Sequence, residues 1–177
     1  RACPMIGRVA VVVLLALAVL AGGGLYYLEQ FHWYDVVEVG AGEVTFTAPD
    51  GTVEALPVTG LRTAVGESSP LKYRACFTVE ATPEALAERF VRYPDPEPTV
   101  APRVFPCFDE DALASALAWG DAIAFMGQEN VTYGIDRVVA VGAGGTGHAW
   151  HQINRCGARV FDGDPPPEGC PPPPATE

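Results

Sequence analysis

At 177 residues and a formal net charge of −11, the chain has the length of one modest domain plus a targeting segment, and a charge that disfavours nucleic acid. All 22 acidic residues but only 9 of the 11 basic ones follow Leu28, so the part beyond it carries a formal −13. Such a field repels phosphate backbones and anionic headgroups and favours a basic partner or a cation.

Residues 1–8 carry Arg1 and Arg8, and residues 9–28, VAVVVLLALAVLAGGGLYYL, hold no charge. Twenty such residues make about 30 Å of helix, the thickness of a bilayer core. The arginines before the span, against Glu29, Asp35 and Glu38 after it, orient the N-terminus to the cytoplasm. Tyr26, Tyr27, Trp33 and Tyr34 cluster where the helix would leave the lipid, as interfacial aromatics do. The competing reading is a signal peptide cleaved near Val19-Leu20-Ala21. Both export the remainder, and Met5 reads as the natural start. The expected site is a bacterial inner membrane, single-pass, with residues 29–163 as a periplasmic α+β domain and 164–177 as a proline-rich tail.

Cys76, Cys107, Cys156 and Cys170 fall in the exported part, an even number where disulfides persist. Three connectivities are possible and sequence does not choose among them. Cys76–Cys107 with Cys156–Cys170 is favoured because each pair closes a modest loop, and each bridge is expected to contribute roughly 3 kcal/mol. The absence of Cys-x-x-Cys argues against a redox-active pair.

The elements follow in order. EVTFTA, the turn PDGT and VEALPV (residues 43–58) read as a hairpin. In LKYRACFTVE, Leu71, Tyr73, Ala75, Phe77 and Val79 alternate as one face of a half-buried strand, with Cys76 facing away. ATPEALAERFVRY (81–93) is a short amphipathic helix capped by Thr82, with Pro83 in its first turn. The prolines of YPDPEPTVAPRVFP then forbid regular structure. FDEDALASALAWG is a second helix, with Asp109 at the N-cap, Phe108 and Leu113 as a staple, Leu113, Ala116 and Leu117 as the buried stripe, and Gly120 as the stop. Asp109, Glu110 and Asp111 serve that helix N-terminus rather than a metal. Residues 121–153 supply three strands, for a mainly antiparallel sheet with the two helices on one face.

GAGGTG (142–147) has the glycine spacing of a dinucleotide loop, but no helix follows in a βαβ unit and no acidic residue stands about twenty positions on. It reads as a hairpin turn, and neither nucleotide nor cofactor is expected. His148 and His151, three apart on a strand, point to opposite faces and do not chelate together; only a helix would let Met126 or a carboxylate join them. No metal is therefore expected. GESSP (66–70) misses the serine-hydrolase elbow, and Asp162, Asp164 and Glu168 read as solvated carboxylates rather than calcium ligands.

One region carries more. GQENVTYGIDR and HAWHQINRC are polar and aromatic yet adjoin apolar strands, so Glu129, Asn130, Tyr133, Asp136, Arg137, Trp150, His151, Asn154 and Arg155 form a candidate recognition surface. The plainer alternative is a hydrogen-bonded network that stabilises a small sheet.

SSPLKYRACF, AFMGQENVTYGIDRVVAV and HAWHQINRCGARVFDGDPPPEGC, with the N-terminal span, resemble a family of small single-pass bacterial membrane proteins of unknown function. Some members of such families bear the label histidine kinase, which implies no catalysis for a chain without kinase motifs. The resemblance implies the architecture and no activity. No catalytic constellation is read, so the expectation is a non-catalytic binding or accessory module of an envelope protein complex, anchored in the bilayer. A periplasmic small-molecule or metal sensor is the alternative.

Overall fold

The computed structural model describes residues 4–174. Helix α1 spans Pro4–Tyr27 and runs into a π-helical turn at Leu28–His32. None of the apolar window between Gly7 and His32 is buried against the rest of the chain, and its mean hydropathy of 2.5 makes it long and apolar enough to cross a membrane.

The sheet that follows has six strands: β1 (Asp35–Thr47), β2 (Val53–Val65), β3 (Tyr73–Val79), β4 (Ala122–Thr132), β5 (Ile135–Gly142) and β6 (Thr146–Ile153). All neighbours are antiparallel, in the order β1-β2-β3-β6-β5-β4. This is the expected α+β class. The first hairpin turns at Pro49–Thr52, closed by the Gly51 N–H on the Ala48 carbonyl. Its strands are longer than the sequence suggests, because Gly40, at φ +78°, sits in a bulge that interrupts the alternation of β1.

The two edges of the sheet curl toward each other. Val91 N donates to the Thr47 carbonyl of β1, Met126 N of β4 donates to the Val91 carbonyl, and Tyr93 N donates to Ala124. Phe46 meets Phe125 edge-on, 5.8 Å between centroids. Alternation along the strands then divides the apolar side chains between two cores. Phe46, Phe77, Val79, Phe125, Val139 and Val141 fill the inside of the curl, and Cys76, Val138, Ala140 and Trp150 line the outside.

Helix α2 (Pro83–Ala87) is capped by Thr82, whose Oγ1 accepts from Ala85 N at 3.3 Å. It ends earlier than the apolar spacing suggests, since residues 91–93 are drawn into the sheet seam. Leu86 and Phe90 still pack on the inner core. Helix α3 (Glu110–Trp119) has Asp109 Oδ1 accepting from Ala112 N at 2.9 Å and Gly120 at φ +81°. Phe108 and Leu113 pack on the outer core, Leu117 against it. The helices therefore cover opposite faces, a correction to the expectation of one: a sheet apolar on both sides needs a cover on each.

A short helix, α4 (Arg155–Phe161), was not foreseen beyond β6; with seven residues, one glycine and one cysteine it has no readable periodicity. The disulfides join Cys76 to Cys107 and Cys156 to Cys170, the favoured pairing. The glycine run is the β5–β6 turn, with Gly144 and Gly145 at φ +72° and +78°. A Cβ at Gly145 would stand 2.0 Å from the Val79 carbonyl oxygen, so the turn is fitted to the end of β3 as well as bent by its glycines.

Candidate functional site

The nine candidate residues are expected from the sequence to form one surface; the structure instead divides those on β5 and β6 between the two sides of the sheet. Arg137 and His151 are paired across β5 and β6 on the inner side. Asp136 lies on the outer side with Val138 and Trp150, and Asn154 follows the end of β6. They do not form one surface. Trp150 is fully buried, with its Nε1 donating to Gln152 Oε1 at 3.3 Å, and so has no exposed face to offer a partner.

On the inner side, His151 is stacked on Tyr73, 4.5 Å between centroids. Its Nδ1 bonds the Pro70 carbonyl, and its Nε2 accepts from Arg137 Nε at 3.2 Å. This arrangement fits only the neutral ring with its proton on Nδ1. Burial, opposed by the Pro70 carbonyl and reinforced by the Arg137 and Arg74 charges, pushes its pKa down to about 4. The Arg137 guanidinium lies 4.7 Å from the Tyr73 ring centre, which completes a packed column. His148 faces the other side, paired with Cys76 and Ala140 and edge-on to Phe108. The two histidines cannot share a metal ion, and no cluster of metal-ligating side chains occurs among the described residues. Asp164 pairs with Arg159 at 3.1 Å.

On the outer side, Asp136 is 3 % exposed. Its Oδ1 accepts from Asn130 N and Asn154 Nδ2, each at 2.8 Å, and its Oδ2 from the Tyr93 hydroxyl at 3.3 Å. Burial and the adjacent Asp136 carboxylate raise the Tyr93 pKa well above its usual value, so the hydroxyl remains a donor. Asn130, at φ +48°, takes the Gly134 N–H and the Asn154 amide on its own Oδ1. Asn154 Oδ1 caps α4 by accepting from Cys156 N and Gly157 N, both at 3.0 Å. One buried carboxylate thus ties the β4–β5 turn, residue 93 and the start of α4 together.

Beside this network opens a cleft of about 500 Å³. Asp95, Glu97, Glu129 and Asp136 line it, with Arg155 as the single basic residue and Ile153 and Met126 as apolar lining. Gln152 fixes its outer wall, accepting from Glu97 N at 2.8 Å and donating to the Asp95 carbonyl at 3.0 Å. Asp95, like Asn130, has φ +48°, the left-handed region that Asp and Asn enter more readily than other side-chain-bearing residues. Of the nine candidates, Glu129, Asp136, Asn154 and Arg155 reach the cleft. Tyr133 instead donates to the Pro171 carbonyl at 3.0 Å and holds the tail.

Sequence reasoning missed Tyr93, Asp95, Glu97 and Gln152, which lie in or against a proline-rich stretch without periodicity. It also missed Arg74, 4 % exposed, which pairs with no carboxylate among the described residues. Arg74 donates to the carbonyls of Leu71, Tyr73, Thr99 and Val100 and thereby holds the irregular segment against the outer face. The alternation that puts Cys76 on the outer face puts Arg74 there too, which was the available signal.

The fold and cleft define a small, disulfide-bridged α+β domain preceded by one helix of membrane-spanning length. Residues 44–171 match the model of a family of unknown function, DUF6446, and the chain belongs to that family. No curated protein and no solved structure matches the chain.

Proposed function

We propose that the domain is a non-catalytic binding or accessory module of a bacterial envelope protein complex, held at the outer surface of the inner membrane by α1. The observation that carries this reading is the acidic cleft. Asp136 is saturated by protein donors and serves as its foundation, whereas Asp95, Glu97 and Glu129 are exposed and lie within one concavity. Carboxylates so placed favour a basic side chain presented by a partner, and the charge of the domain steers such a partner toward it. Two disulfides accord with an oxidising compartment on the far side of the bilayer.

The test is the native size of the full-length protein extracted in mild detergent. In this reading the wild type migrates with a stoichiometric companion, and Glu97→Lys with Glu129→Lys releases it while leaving the melting temperature unchanged. A wild type that migrates alone contradicts it.

The volume of the cleft also favours a second reading, a sensor for a small cationic molecule. A thermal shift of the soluble domain with polyamines or basic amino acids, abolished by the same two substitutions, would place this reading ahead of the first.

A further inference from the structure

Where α1 gives way to the domain, a pocket of about 380 Å³ is lined by Glu29, His32, Trp33, Asp35, Glu67 and Lys72. It is built rather than incidental. The loop from Gly66 to Lys72 is closed by the Gly66 N–H on the Lys72 carbonyl at 2.8 Å. A Cβ at Gly66 would stand 2.8 Å from Lys72 Cβ and 3.0 Å from the Trp33 carbonyl oxygen, so a larger residue would have to push this loop away from Lys72 and the helix exit. The Lys72 ammonium is 5.3 Å from the Trp33 ring centre and 5.4 Å from that of Tyr34. Arg103 N donates to Gln30 Oε1 at 3.2 Å, and its guanidinium lies 5.9 Å from the Tyr26 ring centre. The domain therefore touches the helix exit at two places.

The charges in this pocket are unusual in one respect. Three carboxylates and an ammonium line a single concavity, yet among the described residues none of the four is in an ion pair. A space that holds opposite charges apart fits a ligand carrying both signs.

Its depth names the source. If residues 9–28 fill the hydrocarbon core, Glu29 to Trp33 continue about 7 Å past it at about 1.5 Å per residue. That lies within the headgroup layer, roughly 5 to 8 Å thick on each side. We propose that this pocket binds the phosphoethanolamine headgroup of a membrane phospholipid, with Lys72 and His32 toward the phosphate and Glu29, Asp35 and Glu67 toward the ammonium. A primary ammonium supplies three N–H donors to the carboxylates and a choline none. The Trp33 face that would suit a choline is already covered by Lys72. An anionic glycerol headgroup leaves the carboxylates uncompensated.

The proposal rests on α1 spanning the membrane, and alkaline carbonate extraction tests that part separately: release of the protein removes both readings. Full-length protein is then placed in nanodiscs with equal parts of phosphatidylethanolamine, phosphatidylcholine and phosphatidylglycerol and ejected into native mass spectrometry. One ethanolamine lipid is expected to stay bound, about tenfold over either competitor. Lys72→Met, and Glu29→Gln with Glu67→Gln, lose it at unchanged melting temperature. A ladder of mono-, di- and trimethylated headgroups on the wild type needs no variant and is expected to fall stepwise. Millimolar free phosphoethanolamine leaves the lipid in place. Equal retention of the three lipids, a flat methylation ladder, selectivity that survives the substitutions, or displacement by free phosphoethanolamine overturns the proposal.

Discussion

Arg137 donates its Nε–H to His151 Nε2 across β5 and β6 at 3.2 Å, a bond that exists only while the imidazole is neutral. A proton on Nε2 would remove the acceptor and set two cations side by side, with Arg74 adding to the repulsion and only the Pro70 carbonyl opposing it.

The consequence is acid lability. His151 titrates at about 4 in the fold against 6.5 in a model peptide, so the unfolded chain binds the extra proton first. Stability is complete above 6.5 and is lost as pH falls toward 4, by about 3 kcal/mol. The His148 pKa is also lowered, chiefly by burial, and acts with the same sign. Urea midpoints between pH 7 and 4 are expected to fall for the wild type and to flatten for His151→Phe; a parallel fall in both contradicts the assignment.

Removing the foundation of the cleft costs more than trimming its edge. Asp136→Ala strands the donors of Asn130, Asn154 and Tyr93 and is expected to cost about 3 kcal/mol, whereas Tyr93→Phe leaves Asp136 two partners and costs about 1 kcal/mol. Chemical denaturation of the two variants gives the comparison.

The turn glycines should differ sharply despite their equal backbone conformation. A Cβ at Gly144 meets open space, and one at Gly145 meets the Val79 carbonyl. Gly144→Ala is expected to cost about 1 kcal/mol from the positive φ alone. Gly145→Ala must additionally displace the end of β3, and a melting temperature well below that of Gly144→Ala is the expected result.

Opening the C-terminal bridge tests what holds the tail. Cys156→Ser with Cys170→Ser frees a 14-residue loop and is expected to cost about 3 kcal/mol. The Tyr133 bond to Pro171 should go with it, seen as faster proteolysis after residue 161. Unchanged proteolysis would show that the other tail contacts suffice.

Much of the architecture was legible because it is written in local chemistry. Thr82 and Asp109 are helix caps whose side chains find the predicted amides, and Tyr73 to Val79 alternate as their faces require. The cleft was legible in part. Glu129, Asp136, Asn154 and Arg155 adjoin readable strands, but grouping them with Arg137 and His151 ignored the period of two that separates neighbours across a sheet. Asp95, Glu97 and Gln152 meet through the path of a proline-rich segment, and that path is set by Arg74 and its carbonyl partners rather than by any sequence period.

The most direct test of the binding reading is site-specific photo-crosslinking of the full-length protein in membranes. A photoreactive residue at Glu129 is compared with one at Thr52, on the exposed turn of the first hairpin. The account predicts one dominant adduct from Glu129, none from Thr52, and loss of the adduct when Glu97→Lys is added. Equal adducts from both positions, or none from Glu129, would contradict it.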